Sequence, residues 1–70
     1  MDLRTERTKR SITIAFLELR KQKPIEKITV KELAEQAYIN KATFYTHYHD
    51  IYDLADQLEN EFMESIIKEM

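Results

Sequence analysis

Residues 40–49, NKATFYTHYH, bring small, hydroxyl-bearing, basic and imidazole side chains into one short stretch. At about 100° per residue along a helix, Phe44 and Tyr48 share one face and would pack inward with Ile39. The opposite face and its flanks carry Ala42, Thr43, Tyr45, Thr46 and His49. Small outward side chains let a helix approach DNA closely and contact a thymine methyl, and Lys41 in the first turn could reach base edges. Spacing alone leaves open a plain amphipathic helix with a solvated polar face.

A metal or catalytic site is the competing chemistry for the same region. Its candidate residues are His47, His49, Asp50 and Asp53. On a helix the two imidazoles of a His-x-His pair point about 200° apart, and the sequence has no Glu-x-x-His or His-x-x-x-His pair. The chain has no cysteine and no glycine, which excludes thiolate sites and glycine-rich phosphate loops. We therefore predict no metal, no cofactor and no enzymatic activity.

Four helices are predicted, and the first of them precedes residues 40–49 in the chain and supplies part of the core on which they pack. Its apolar side chains recur at i, i+3, i+4 and i+7: Ile12, Ala15, Phe16 and Leu19. We expect the helix to begin between Asp2 and Thr8. It should end by about Lys23, because Pro24 disfavours helical geometry in the residue before it. A loop is predicted over residues 24–28.

The second helix is predicted to begin at a Thr-x-x-Glu capping box formed by Thr29 and Glu32. Its apolar stripe consists of Val30, Leu33, Ala34 and Ala37. Residues 38 and 39 then make a turn. Asn40 is a favourable N-cap for the third helix, predicted over residues 40–48.

The fourth helix is predicted to begin after Asp50 as its N-cap, with Asp53 in its first turn, where the helix dipole favours negative charge. One side of it carries Leu54, Ala55, Leu58, Phe62 and Ile66. The predicted fold class is all-α. We expect a three-helix bundle, with helices two and three as a helix-turn-helix, plus the start of a longer fourth helix.

Composition and charge set the broad class. With 43% hydrophobic and 34% charged residues, a chain of 70 residues suits one small folded domain. The net charge of −2 is unevenly distributed: residues 1–49 hold ten Lys or Arg against six Asp or Glu, and residues 50–70 hold one Lys against seven acids. Local positive potential is what phosphate binding requires. No apolar run is long enough for a membrane span or a signal peptide, so we expect a cytoplasmic protein without a membrane partner.

The order of side chains over residues 29–48, TVKELAEQAYINKATFYTHY, resembles the DNA-binding domain of the TetR family of bacterial transcription regulators. A Thr-capped Val-x-x-Leu-Ala helix, an aliphatic residue and an Asn in the turn, and then Thr-Phe-Tyr-x-His-Tyr carry the likeness. It extends over about residues 6–66, with residues 29–48 as the helix-turn-helix motif.

The resemblance implies roles in the third helix. Thr43 and Tyr45 occupy the family's Thr-x-Tyr positions, whose hydroxyls hydrogen-bond phosphates and set the register. Lys41 and Ala42 occupy base-reading positions at the start of this helix.

Further roles are implied before and after the third helix. Thr29 matches a cap whose helix N-terminus faces a phosphate, and Lys31 matches a position that reaches a base edge or backbone oxygen. His47 matches a common family His and is expected at the boundary of the core. The predicted DNA-binding residues are Thr29, Lys31, Asn40, Lys41, Ala42, Thr43, Tyr45, Thr46 and His49.

Two positions depart from the family pattern. Tyr38 stands in the turn where the family usually has Gly. A positive φ there would cost on the order of 1 kcal/mol, unless the turn is built differently. Ile51 stands where the family often has a phosphate-binding Lys, so that contact should be absent, with Tyr52 or His49 in its place.

The resemblance implies a sequence-specific transcription regulator, a repressor, that reads the major groove of a palindromic double-stranded operator. Family members carry a larger C-terminal domain that binds a small effector and forms the homodimer. That domain would lie outside these 70 residues, so we expect the chain to be a fragment. The alternative is a small helical protein-interaction module that presents the apolar residues of helix four.

Overall fold

The computed structural model describes the backbone of residues 3–69 and the side chains of residues 3–63. This part of the chain contains no strand. Its four α-helices are α1 (Leu3–Gln22), α2 (Val30–Ala37), α3 (Lys41–His47) and α4 (Ile51–Glu69). The predicted all-α fold class is confirmed.

The connection between α1 and α2 is more ordered than predicted. The expected loop over residues 24–28 contains one turn of 3₁₀ helix, Ile25–Lys27. Pro24 precedes it in extended conformation, with φ −70° and ψ 160°, and the N–H of Ile28 donates to the carbonyl of Ile25 at 3.1 Å. The ring of Pro24 fixes φ, which limits the ways in which the chain can leave α1.

The core lies where α1, α2, α3 and the start of α4 meet, and the predicted apolar stripes supply most of it. Four of the side chains are fully enclosed: Ile12, Leu33, Phe44 and Leu54. The other buried residues are Ala15, Phe16, Leu19, Ile28, Ala34, Ala37, Tyr48 and Ile51. Each stripe repeats at helical period because it is the side of its helix that is removed from water.

Ile28 belongs to this core, although the sequence predicts a loop at this position. It comes immediately before the N-cap Thr29, and Leu33 is the fourth residue of α2. Both side chains are buried in the same cluster. This is the arrangement of a hydrophobic staple, in which the residue before a cap packs on the helix it precedes and fixes the entry angle of the chain.

Among the described side chains of α4, those in its first part pack against the core. Asp50 caps it as predicted, since its Oδ1 accepts from the N–H of Asp53 at 2.8 Å. Leu54 is buried and Leu58 is partly buried against the core, whereas Phe62 is 65% exposed. The side chain of Ile66 lies outside the described residues. None of the helices described is both long and apolar enough to cross a membrane.

Candidate nucleic-acid interface

The turn between α2 and α3 is built on Tyr38 in the left-handed conformation, with φ 60° and ψ 41°. The N–H of Ile39 donates to the carbonyl of Ala34 at 2.9 Å, and the N–H of Tyr38 donates to that of Glu35 at 3.2 Å. These two bonds are those of a Schellman motif. Tyr38 therefore adopts the positive φ that the family's Gly would favour, and the turn is not built differently to avoid it. The side chain of Tyr38 is 95% exposed, so packing does not offset its backbone strain.

Asn40 sets the start of α3. Its Oδ1 accepts from the backbone N–H of Thr43 at 2.7 Å and from the Thr43 hydroxyl at 2.9 Å. The predicted N-cap is confirmed, and α3 itself spans Lys41–His47, with Asn40 and Tyr48 as its caps. Thr43, a predicted phosphate ligand, is thus also held by the cap of its own helix.

The inner face of α3 is fixed by two aromatic side chains. Phe44 has no exposed surface and Tyr48 is buried, with their ring centroids 5.5 Å apart. His47 is half-buried beside them, as expected for a boundary residue. The orientation predicted for α3 is confirmed.

The outer face of α3 is open to solvent. Lys41, Ala42 and Thr46 are exposed, and Tyr45 is 54% exposed. The Tyr45 ring packs edge-on against Phe44, with centroids 5.4 Å apart, so the core determines where this tyrosine stands. The Thr46 hydroxyl donates to the carbonyl of Ala42 at 3.0 Å and is occupied within the helix. At helical spacing, Ala42 and Thr46 lie side by side on this face, with Tyr45 on one flank and Thr43 on the other.

The first turn of α2 differs from the predicted capping box. Thr29 accepts from the N–H of Glu32 at 3.1 Å, as expected. The Glu32 carboxylate, however, bonds the Nζ of Lys23, with a distance of 2.9 Å to Oε2, instead of the Thr29 N–H. The prediction that Glu32 accepts from the Thr29 N–H is therefore wrong. The ammonium group of Lys23, brought close by the 3₁₀ turn, donates to the carboxylate instead. Thr29 and Lys31 are both exposed at this end of α2.

His49 is not on the helix face where the periodicity placed it. Helix α3 ends at His47, and Tyr48 is extended, with φ −139° and ψ 150°, so helical spacing no longer applies beyond it. The N–H of His49 instead donates to Oδ2 of Asp53 at 2.8 Å. His49 is exposed, and its position depends on the cap of α4 rather than on α3.

The model of the bacterial regulatory proteins of the tetR family matches the sequence over residues 12–58, more than half of the chain. The chain belongs to this family. No curated protein and no solved structure matches it.

The matched range contains α2, the turn, α3 and the beginning of α4, so the resemblance seen in the sequence is confirmed there. TetR-family proteins are DNA-binding transcription regulators, and the predicted class of function is confirmed at that level. The wider domain boundaries, residues 6–66, stay a prediction, as do the roles of individual residues.

Ile51, where the TetR pattern often has Lys, is part of the core. Its side chain is buried at the start of α4. Tyr52 beside it is 54% exposed. The Ile51 side chain thus packs in the hydrophobic core at this position. Besides the missing phosphate contact, the sequence carries a signal for this burial, because an apolar residue in the first turn of an amphipathic helix can join the core.

Among the described residues, two titratable groups have shifted pKa values, and both lie next to the α3–α4 turn. The hydrogen bond from the His49 N–H lowers the pKa of Asp53, and a weaker bond from Gln57 acts in the same direction against partial desolvation. Burial raises the pKa of the Tyr48 phenol, with further contributions from Glu61 and Asp53.

Within the described residues, no three His, Cys, Asp or Glu side chains lie close enough to hold a metal ion.

Proposed function

We propose that this chain is the DNA-binding domain of a transcription repressor and that α3 enters the major groove of its operator. The single observation that carries the proposal is the pairing of faces on α3. Phe44 anchors the helix from within, while Ala42 and Thr46 leave its outer face low enough for close approach to base edges.

The proposed contacts fall into two kinds. Lys41 and Ala42, in the first turn of α3, read base edges, because this part of a recognition helix lies deepest in the groove. Thr43 and Tyr45 bind phosphates and set the register of the helix on the duplex. The exposed area of Tyr45 and its fixed ring support this role.

The remaining residues assist from the edges of the interface. Thr29 and Lys31 bind a phosphate at the start of α2, where unpaired N–H groups and the helix dipole favour an anion. Asn40 places α3 by capping it, Thr46 lies on the groove-facing side, and His49 approaches the backbone from the α3–α4 turn.

The assembly follows the family pattern. We propose a cytoplasmic homodimer, formed by a C-terminal domain beyond these residues, that binds a palindromic operator and responds to a small effector. Two half-sites bound together raise affinity through effective concentration, so the isolated domain binds weakly. The proposal includes no metal, no cofactor, no membrane partner and no catalytic activity.

One observation favours a second candidate function. Phe62 is 65% exposed and Met63 is 51% exposed on α4, an apolar pair without cover among the described residues. A helical interaction module would use these side chains to bind a protein partner, and DNA would play no part.

Duplex binding separates the two candidates. The domain is expected to bind a fluorescent mixed-sequence duplex with a Kd of roughly 10⁻⁴–10⁻⁶ M near physiological salt, and with affinity that falls steeply as salt rises. Tyr45→Phe should weaken binding to every sequence alike, because a phosphate contact carries no sequence information. Tyr38→Phe, which removes a hydroxyl from a 95% exposed side chain, is the matched control. Absence of salt-dependent binding, or equal effects of the two substitutions, would contradict the proposal.

A further inference from the structure

An ion pair joins the end of α1 to the first turn of α2. The Nζ of Lys23 contacts both carboxylate oxygens of Glu32, at 2.9 Å from Oε2. The two side chains are only 34% and 26% exposed. The pair between Lys21 and Glu18 is different in kind: it lies along the surface of α1, with both side chains largely in solvent.

This ion pair changes what the first turn of α2 presents to the outside. A Glu at the third position of a helix normally turns back to accept from the N–H of the N-cap residue. Here the carboxylate of Glu32 accepts from Lys23, and among the described residues no hydrogen bond runs from the Thr29 N–H to it. The negative charge is neutralised, and the Thr29 N–H is left for another acceptor.

We infer that Lys23 is a positioning residue for DNA binding that acts through Glu32. The inference rests on the proposed function, in which a DNA phosphate approaches Thr29 and Lys31. An unpaired carboxylate in the same helical turn would repel that phosphate, and it would also occupy the Thr29 N–H. By holding Glu32 on the side of α1, Lys23 removes both obstacles without itself contacting DNA.

A double-mutant cycle tests this mechanism in the 70-residue chain. Lys23→Met keeps the aliphatic stem and removes the charge, and Glu32→Gln removes the carboxylate. Against a mixed-sequence duplex at low salt, Lys23→Met should weaken binding about two- to fivefold, the scale of one unscreened charge within a Debye length. Glu32→Gln should bind at least as well as the wild type. The combined variant should bind like Glu32→Gln, because the lysine has nothing left to neutralise.

Other roles of Lys23 give different results. If Lys23 contacted a phosphate directly, Lys23→Met would weaken binding equally with and without Glu32, and each time the salt dependence would fall by about one ion. That outcome would overturn the inference. A purely structural role would lower the melting temperature and would not be rescued by Glu32→Gln, which would overturn it as well. Lys21→Met, which frees Glu18 on the surface of α1, is the matched control and should leave binding unchanged.

Amide NMR gives a readout that does not depend on DNA. In Lys23→Met the carboxylate of Glu32 is expected to return to the Thr29 N–H, so the additional substitution Glu32→Gln should shift the Thr29 amide signal. In the wild type it should not. The opposite pattern would overturn the inference, even if the duplex experiment supported it. Failure of the wild type to bind any duplex would instead refute the proposed function.

Discussion

Asn40 holds Thr43 through two hydrogen bonds. The backbone N–H and the hydroxyl of Thr43 both donate to Oδ1 of Asn40, at 2.7 Å and 2.9 Å. The same contact therefore caps α3 and orients a side chain that we propose to bind a phosphate. When the Thr43 hydroxyl donates to a phosphate oxygen instead of Asn40, the hydrogen bond from the Thr43 backbone N–H to Asn40 remains. The helix therefore need not lose its cap on binding DNA.

Replacing Asn40 with Ala should lower the free energy of unfolding by about 1 kcal/mol, the usual cost of losing an N-cap. Asn40→Ser retains an acceptor for the Thr43 N–H and should cost much less. Thermal melts followed by circular dichroism measure both variants. Equal stability of the Ala and Ser variants would show that the cap contributes nothing.

Tyr38→Gly should stabilise the domain by about 1 kcal/mol, because Gly adopts a positive φ without the steric penalty of a side chain. The phenol ring is 95% exposed, so its removal forfeits little packing. Chemical denaturation measures the change. Tyr52→Gly is the control, since Tyr52 lies in the first turn of α4, where Gly is expected to destabilise by up to about 1 kcal/mol. Destabilisation of both variants would contradict the strain at Tyr38.

Phe44→Ala should lower the free energy of unfolding by about 3–5 kcal/mol, because the ring is fully enclosed and its removal leaves a cavity. Much or all of the stability of so small a domain would be lost, and DNA binding with it. Phe62→Ala deletes the same ring from a 65% exposed position and should have little effect. The helical signal in circular dichroism and its melting temperature distinguish the two. A Phe44→Ala variant that melts like the wild type would contradict the orientation of α3.

Stability should depend on pH through Asp53. The His49 N–H lowers the pKa of this carboxyl in the folded state below its ordinary value of 3.8. A lowered folded pKa means that the contribution is present above the unfolded pKa and is lost as the pH falls through the folded one. Melting temperatures between about pH 7 and pH 3 should therefore decline less in Asp53→Asn than in the wild type. Parallel declines would show that Asp53 is not the group responsible.

The helix faces and caps could be predicted from the sequence because both depend on neighbours close along the chain. The buried stripe through Ile12 and Phe16 repeats at helical period, and the caps at Asn40 and Asp50 are residue types favoured at the N-cap position. Such local signals need no knowledge of how the helices meet.

What could not be predicted depends on tertiary geometry. Lys23 and Glu32 are nine residues apart, and only the path of the 3₁₀ turn brings them together. No Gly or Pro marks the end of α3, so helical spacing was extended too far, to His49. Ile51 was compared with a family lysine, although its burial depends on where α4 begins to pack.

An NMR titration of the isotope-labelled domain with a short mixed-sequence duplex at low salt tests directly whether α3 reads DNA. We expect the amide signals of α3, from Lys41 to Thr46, to shift most, together with those of Thr29 and Lys31, while those of Phe62 and Met63 stay in place. Raising the salt should reverse the shifts, because the affinity comes from phosphates. Shifts centred on Phe62 and Met63, or no change across α3, would contradict the claim that this helix reads DNA.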